Sequence, residues 1–141
     1  MKKVLMCILI TLCFIITGCA SNNKEEMDIL KDVTITIKKD TLNNTGATIL
    51  IEDYSNQANE YGIEYRIDKK INDTWVELSP IPEEITWTTR KYFVDENKKL
   101  EFNYNWENLY GKLEKGDYRL VKYVHSIDSD KMYYIFVEFS I

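Results

Sequence analysis

Leu113-Glu114-Lys115-Gly116-Asp117-Tyr118 is the stretch on which the fold turns. A glycine stands two residues ahead of a tyrosine, and that tyrosine opens a run of alternating apolar residues, Tyr118 to Val124. In antiparallel two-sheet domains a tyrosine in this place donates its hydroxyl back to the backbone of the preceding corner. On that reading Gly116 permits the tight corner and Tyr118 supplies the hydroxyl, a structural pair. The competing reading is a plain hairpin turn before a Tyr-rich strand, and the number of strands around it favours the corner.

Those strands show as period-two patterning. Upstream, Leu100, Phe102, Tyr104 and Trp106 alternate with Glu101, Asn103 and Asn105. Downstream, Tyr133, Ile135, Val137, Phe139 and Ile141 give the last strand one apolar face. Nearer the N-terminus, Val33, Ile35 and Ile37 alternate with polar residues, and Asn43-Asn44-Thr45-Gly46 carries turn chemistry before Thr48 to Ile51. Ile63, Tyr65 and Ile67 predict a strand, which Asn72-Asp73 turns into Trp75 to Leu78. Pro80 and Pro82 interrupt pairing, and Ile85, Trp87 and Thr89 form a further candidate strand. No long stretch has helical period, and only Asn105 to Leu113 leaves room for a helical turn. About eight strands at intervals of roughly 8–12 residues predict an all-β, immunoglobulin-like antiparallel sandwich of about seven or eight strands over residues 32–141.

Three segments also resemble a bacterial Ig-like domain family found in lipoproteins of low-GC Gram-positive bacteria. The first is Tyr61-Gly62, Tyr65, Ile67, Lys69 and Trp75; the second is Trp106, Leu109-Tyr110-Gly111, Leu113, Gly116, Tyr118-Arg119 and Lys122; the third is Phe139-Ser140-Ile141. The family is defined by fold, so the resemblance implies no catalytic or ligand residues. Two features depart from antibody domains. Leu120 stands where a cysteine would follow the corner tyrosine, and Tyr65 is the large residue where a core tryptophan would be.

The N-terminus predicts location. Lys2 and Lys3 precede an apolar run, Val4 to Ile16, which is shorter than the about 20 residues of a spanning helix and suits a signal peptide. Ile16-Thr17-Gly18-Cys19 has the aliphatic, small, glycine, cysteine order of a bacterial lipobox. Residues 1–18 then form a cleaved lipoprotein signal peptide. The Cys19 sulfur attacks a phospholipid glycerol carbon, whose C–O bond to the phosphate headgroup breaks as the headgroup leaves, to give a diacylglyceryl thioether with fatty acyl chains such as palmitate. Two chains anchor stably where one does not. Residues 19–31 are polar and predict a flexible tether. The domain is expected on the extracytoplasmic face of the bacterial membrane.

The charge is −5, and Lys2 and Lys3 would leave with the signal. An acidic body argues against nucleic acid as a partner. Cys7 and Cys13 also leave, so no disulfide is available and a packed core must hold the fold. Aromatic residues, 13% of the chain with ten Tyr, supply that core.

Chemistry is sparse. One histidine and no free domain cysteine argue against zinc. His125-Ser126-Ile127-Asp128 has triad letters, but neighbouring strand residues face opposite ways. Asp128-Ser129-Asp130 offers calcium oxygens without a loop to complete the shell, and a hairpin turn explains it. No cofactor is implied. Trp75 and Trp106 are expected to pack the sheet and the corner, whereas Trp87 and Tyr92, beside Arg90 and Lys91, are expected at the surface as a ligand-binding spot. The function expected is a non-enzymatic, lipid-anchored module for protein or cell-wall contact. The alternatives are a small carbohydrate-binding module using exposed aromatics, and, less favoured, a hydrolase.

Overall fold

The computed structural model describes residues 28–141, so the expected signal peptide, Cys19 and most of the expected tether lie outside the described residues. The chain runs β1 (Val33–Ile37), β2 (Gly46–Asp53), β3 (Asn59–Tyr61), β4 (Arg66–Ile71), β5 (Thr74–Glu77), β6 (Lys99–Asn105), α1 (Glu107–Tyr110), β7 (Asp117–Ser126) and β8 (Lys131–Ser140). Two antiparallel sheets form. One has the order β1-β2-β6. In the other, β7 pairs with β8 along one edge and with β3 and then β4 along the other, and β5 closes the far side of β4.

Alternation sets what each strand buries. Ile35 sits opposite Ile51, Ile49 opposite Phe102 and Ala47 opposite Tyr104, which builds the inner face of the smaller sheet. Ile67, Tyr118, Leu120, Val124, Ile135 and Phe139 face it from the larger sheet. Phe139 joins the layers, stacking on Trp106 at 5.6 Å and on Tyr118 at 5.7 Å between ring centres. Between β4 and β5, Asn72 and Asp73 both take positive φ (48° and 60°), the backbone that matches a two-residue hairpin to strand twist.

At the corner the Tyr118 hydroxyl donates to the Glu114 carbonyl at 2.9 Å. The fully buried Trp106 donates its indole N–H to the Asn44 carbonyl at 3.0 Å. Gly116 is extended and exchanges backbone hydrogen bonds with Ile141.

The structure departs from the sequence reading in three places. The strand expected from Ile63 begins only at Arg66, because the carbonyls of Gly62 and Glu64 turn to accept from the Lys122 ammonium at 2.8 and 3.1 Å. The candidate strand Ile85 to Thr89 is not a strand. Its neighbourhood lacks ladder donors at Pro80 and Pro82, and the Ile81 amide goes to Leu109. The open edge of Tyr61 is taken instead by Tyr92, in a two-way backbone pairing. Finally, Leu30, on the tether side of the expected boundary, is buried in the core, and Ile29 bridges to Tyr134 of β8.

Candidate functional site

The residues singled out as a binding spot separate into two pairs. Trp87 and Tyr92 turn inward. Trp87 is half-buried and packs on Tyr65 with ring centres 5.6 Å apart, and Tyr92 meets the edge of Phe102 at 5.2 Å. The expected exposed aromatic pair is therefore corrected. Tyr65 is flanked by Trp87, Tyr104 and Tyr110, so the loop tryptophan fills space beside the large residue of the strand. An aromatic that falls in step with the core is drawn in by the apolar area it buries, whatever the loop's composition.

Arg90 and Lys91 stay exposed and border a groove of about 470 Å³. Its walls are Glu60, Gly62 and Glu64 on one side, the Thr89–Lys91 loop above, and the outward side chains Tyr123 and His125 of β7 with Met132 of β8. Here His125 gains neighbours that its sequence position does not announce. Its Nδ1 lies 2.9 Å from Glu60 Oε1 and its Nε2 lies 3.0 Å from Asp130 Oδ1. Both ring nitrogens face carboxylates, an arrangement that suits the imidazolium, and Asp130 first and then Glu60 raise the His125 pKa. Lys91 makes an ion pair with the same Glu60 oxygen, and this is the main reason that carboxyl sits below its usual range. Arg90 lies 5.1 Å over the Tyr92 ring and makes no ion pair among the described residues. The groove thus presents one unpaired cation beside a network that neutralises itself.

The other acidic candidates are used structurally. Asp128 Oδ2 accepts from the Ala58 amide at 2.7 Å, and Asp130 is held by His125. The two buried carboxylates sit apart. Asp53 accepts from Asn59, Ser55 and Tyr61, and Asp68 from Arg66 and Arg119. Trp75 lies half-buried on the outer face under the Arg119 guanidinium, 5.0 Å away. Among the described residues no group of His, Cys, Asp or Glu is placed to hold a metal ion.

The largest feature that the sequence does not single out is Lys122. It is fully buried between the sheets. Its Nζ donates to Gly62 O, Glu64 O and the Tyr104 hydroxyl, the last at 2.7 Å, and lies 4.1 Å from the Phe102 ring centre. Burial pushes its pKa down to about 7. The signal was present: Lys122 has the parity of Tyr118, Leu120 and Val124, the inward face.

Compared with known families, residues 30–139 match the bacterial Ig-like domain, whose fold is typically non-catalytic. No curated protein and no solved structure matches the chain significantly.

Proposed function

The chain belongs to the bacterial Ig-like domain family, and from that premise we propose that it is a lipid-anchored surface module that binds a protein or cell-wall partner without catalysis. The lipobox Ile16-Thr17-Gly18-Cys19 supports the location, with a diacylglyceryl group on Cys19 as the tie to the extracytoplasmic face of the membrane, and a low-GC Gram-positive lipoprotein as the setting. The groove beside Thr89–Lys91 supports the contact. Arg90 is its unsatisfied cation, Glu64 a carboxylate on the facing wall, and Met132 an exposed apolar surface between. That mixed lining suits a polypeptide more than a polyanion, and the inward turn of Trp87 leaves a sugar ring without the platform first expected of it.

The test has two arms. Saturable binding of the chain from residue 24 onward to isolated envelopes should weaken at least fivefold with Arg90→Glu. Equal binding removes the groove from the reading. Labelled fatty acid should enter wild type and not Cys19→Ser, since serine lacks the thiolate that forms the thioether. Equal incorporation rejects the anchor.

A further inference from the structure

We propose that the end of the sandwich at which the chain enters the domain rests on the lipid bilayer, with Tyr54, Phe93 and Ile127 reaching the headgroup region. The proposal rests on the Cys19 anchor argued above and concerns what the folded domain itself does once anchored.

The direction of the entering chain comes first. Ile29 bridges parallel to Tyr134, with Leu30 N–H donating to Tyr134 O and Tyr134 N–H to Asp28 O. Parallel pairing means that Asp28, where the described chain begins, lies on the side of Tyr134 that faces the start of β8 and the β7–β8 turn. Cys19 lies about nine residues before Asp28, which spans at most roughly 30 Å fully extended. A lipid on Cys19 therefore keeps the point of entry beside Tyr134, and the loops next to it, within roughly 30 Å of the bilayer.

Three loops meet there. Ile127 N–H donates to Ala58 O, and Asp53 N–H to Lys98 O, tying the 127–130 turn, the 54–58 loop and the 93–98 loop into one end. Each carries an exposed large apolar or aromatic side chain: Ile127 at 47%, Tyr54 at 59% and Phe93 at 56% exposure. Phe93 and Ile127 line one depression with Ser55 and Gln57, and Ile29, 52% exposed, lines another with the same two residues. The tips thus surround a single loop. Apolar and aromatic tips of this kind partition to the membrane interface. Asp32, Asp95 and Asp128 stand among them with Lys31 and Lys98, so attraction to anionic lipid is not the driving force. Burial of the tips is, and tethering makes a weak contact sufficient by raising its effective concentration.

The lipidated chain from Cys19 onward, from which Cys7 and Cys13 have left with the signal peptide, would be placed in vesicles of phosphatidylcholine and phosphatidylglycerol containing doxyl-labelled lipid. Cys19 is blocked by lipid, so an added cysteine takes a fluorophore uniquely. A fluorophore on Ser129→Cys should be quenched at least threefold more than one on Ile81→Cys at the opposite end. Phe93→Ser with Ile127→Ser should abolish that excess, and 1 M salt should leave it intact. Equal quenching at both positions, or loss of the excess in salt, overturns the proposal while fatty-acid labelling still shows the anchor. A chain that carries no fatty acid overturns both readings together.

Discussion

The two faces of β7 handle polarity in opposite ways. Inward, Tyr118 and Lys122 are satisfied by neutral groups: a carbonyl for the tyrosine, two carbonyls and a phenol for the lysine. Outward, Arg119, Tyr123 and His125 are held by charged partners, Asp68, Arg66 and the Glu60–Asp130 pair. The inner face gains its specificity from fixed backbone dipoles in a medium that water does not screen. The outer face uses ion pairs whose cations, Arg66, Arg119 and His125, are partly exposed, so salt weakens them more than it weakens the inner contacts, even though Asp68 itself is buried. A substitution on the inner face should therefore cost more than its outward neighbour, and the two faces should respond to pH with opposite sign.

The largest expected effect is at Lys122. Lys122→Met keeps the volume but strands the Gly62 and Glu64 carbonyls and the Tyr104 hydroxyl, for a loss of about 2–4 kcal/mol in urea melts. Adding Tyr104→Phe removes one stranded group and should recover part of that loss. A variant as stable as wild type would mean that the inner face does not depend on this amine. The pH dependence sharpens the point. Burial holds the native Lys122 pKa near 7, against 10.5 for the unfolded chain. Between those values the unfolded chain binds a proton that the native chain has released, so stability rises with pH across the window. The rise should be visible from about pH 7 to below about pH 10, where tyrosines begin to ionise. It should be absent in Lys122→Met.

Next comes the pair of tyrosines. Tyr118→Phe deletes a hydroxyl whose acceptor is the Glu114 carbonyl at the closed corner, and should cost about 0.5–1.5 kcal/mol. Tyr123 is not a hydroxyl in free water, because it accepts from Arg66 Nη1 at 2.8 Å. Arg66 retains Asp68, so Tyr123→Phe should cost less, under about 1 kcal/mol, and its cost should shrink in salt while that of Tyr118→Phe does not. Equal costs, or equal salt dependence, would break the contrast between the faces.

The alternation of Leu100 to Trp106 and of Tyr118 to Val124 makes β6 and β7 legible, because a strand with one buried face must write its parity into the sequence. The same rule misleads at Ile85 and Trp87. They alternate because both are part-buried on a loop, Trp87 against the core, and parity records burial, not hydrogen bonding. Asn59–Tyr61 escapes for the opposite reason: a three-residue strand is too short to show a period. The break at Gly62–Tyr65 is invisible locally, since it is set by a lysine about 60 residues away that claims the segment's carbonyls. Of the candidate site, Arg90 and Lys91 are legible as exposed cations in a polar run. The Glu60–His125–Asp130 network is not, because it joins β3, the end of β7 and the following turn only in three dimensions.

The smallest effect, and the one that tests the outer face most directly, is at His125. Asp130 and Glu60 raise its pKa above the ordinary 6.5. In the window above 6.5 the native chain keeps a proton that the unfolded chain has lost. The network's contribution is then fully present below pH 6.5 and disappears as pH rises through the raised native value, a slope opposite to that of Lys122. The ring is partly exposed, so the slope should be shallow and should flatten in salt. His125→Gln keeps hydrogen bonding to one carboxylate but cannot titrate. It should cost stability at pH 6, leave it nearly unchanged at pH 9, and make the remaining rise due to Lys122 begin at lower pH and run steeper. If wild type and His125→Gln differ equally at both pH values, His125 acts as a neutral hydrogen-bonding ring. The outer face would then rest on Arg66, Asp68 and Arg119 alone, and its charge on this edge of the groove would be fixed instead of set by pH.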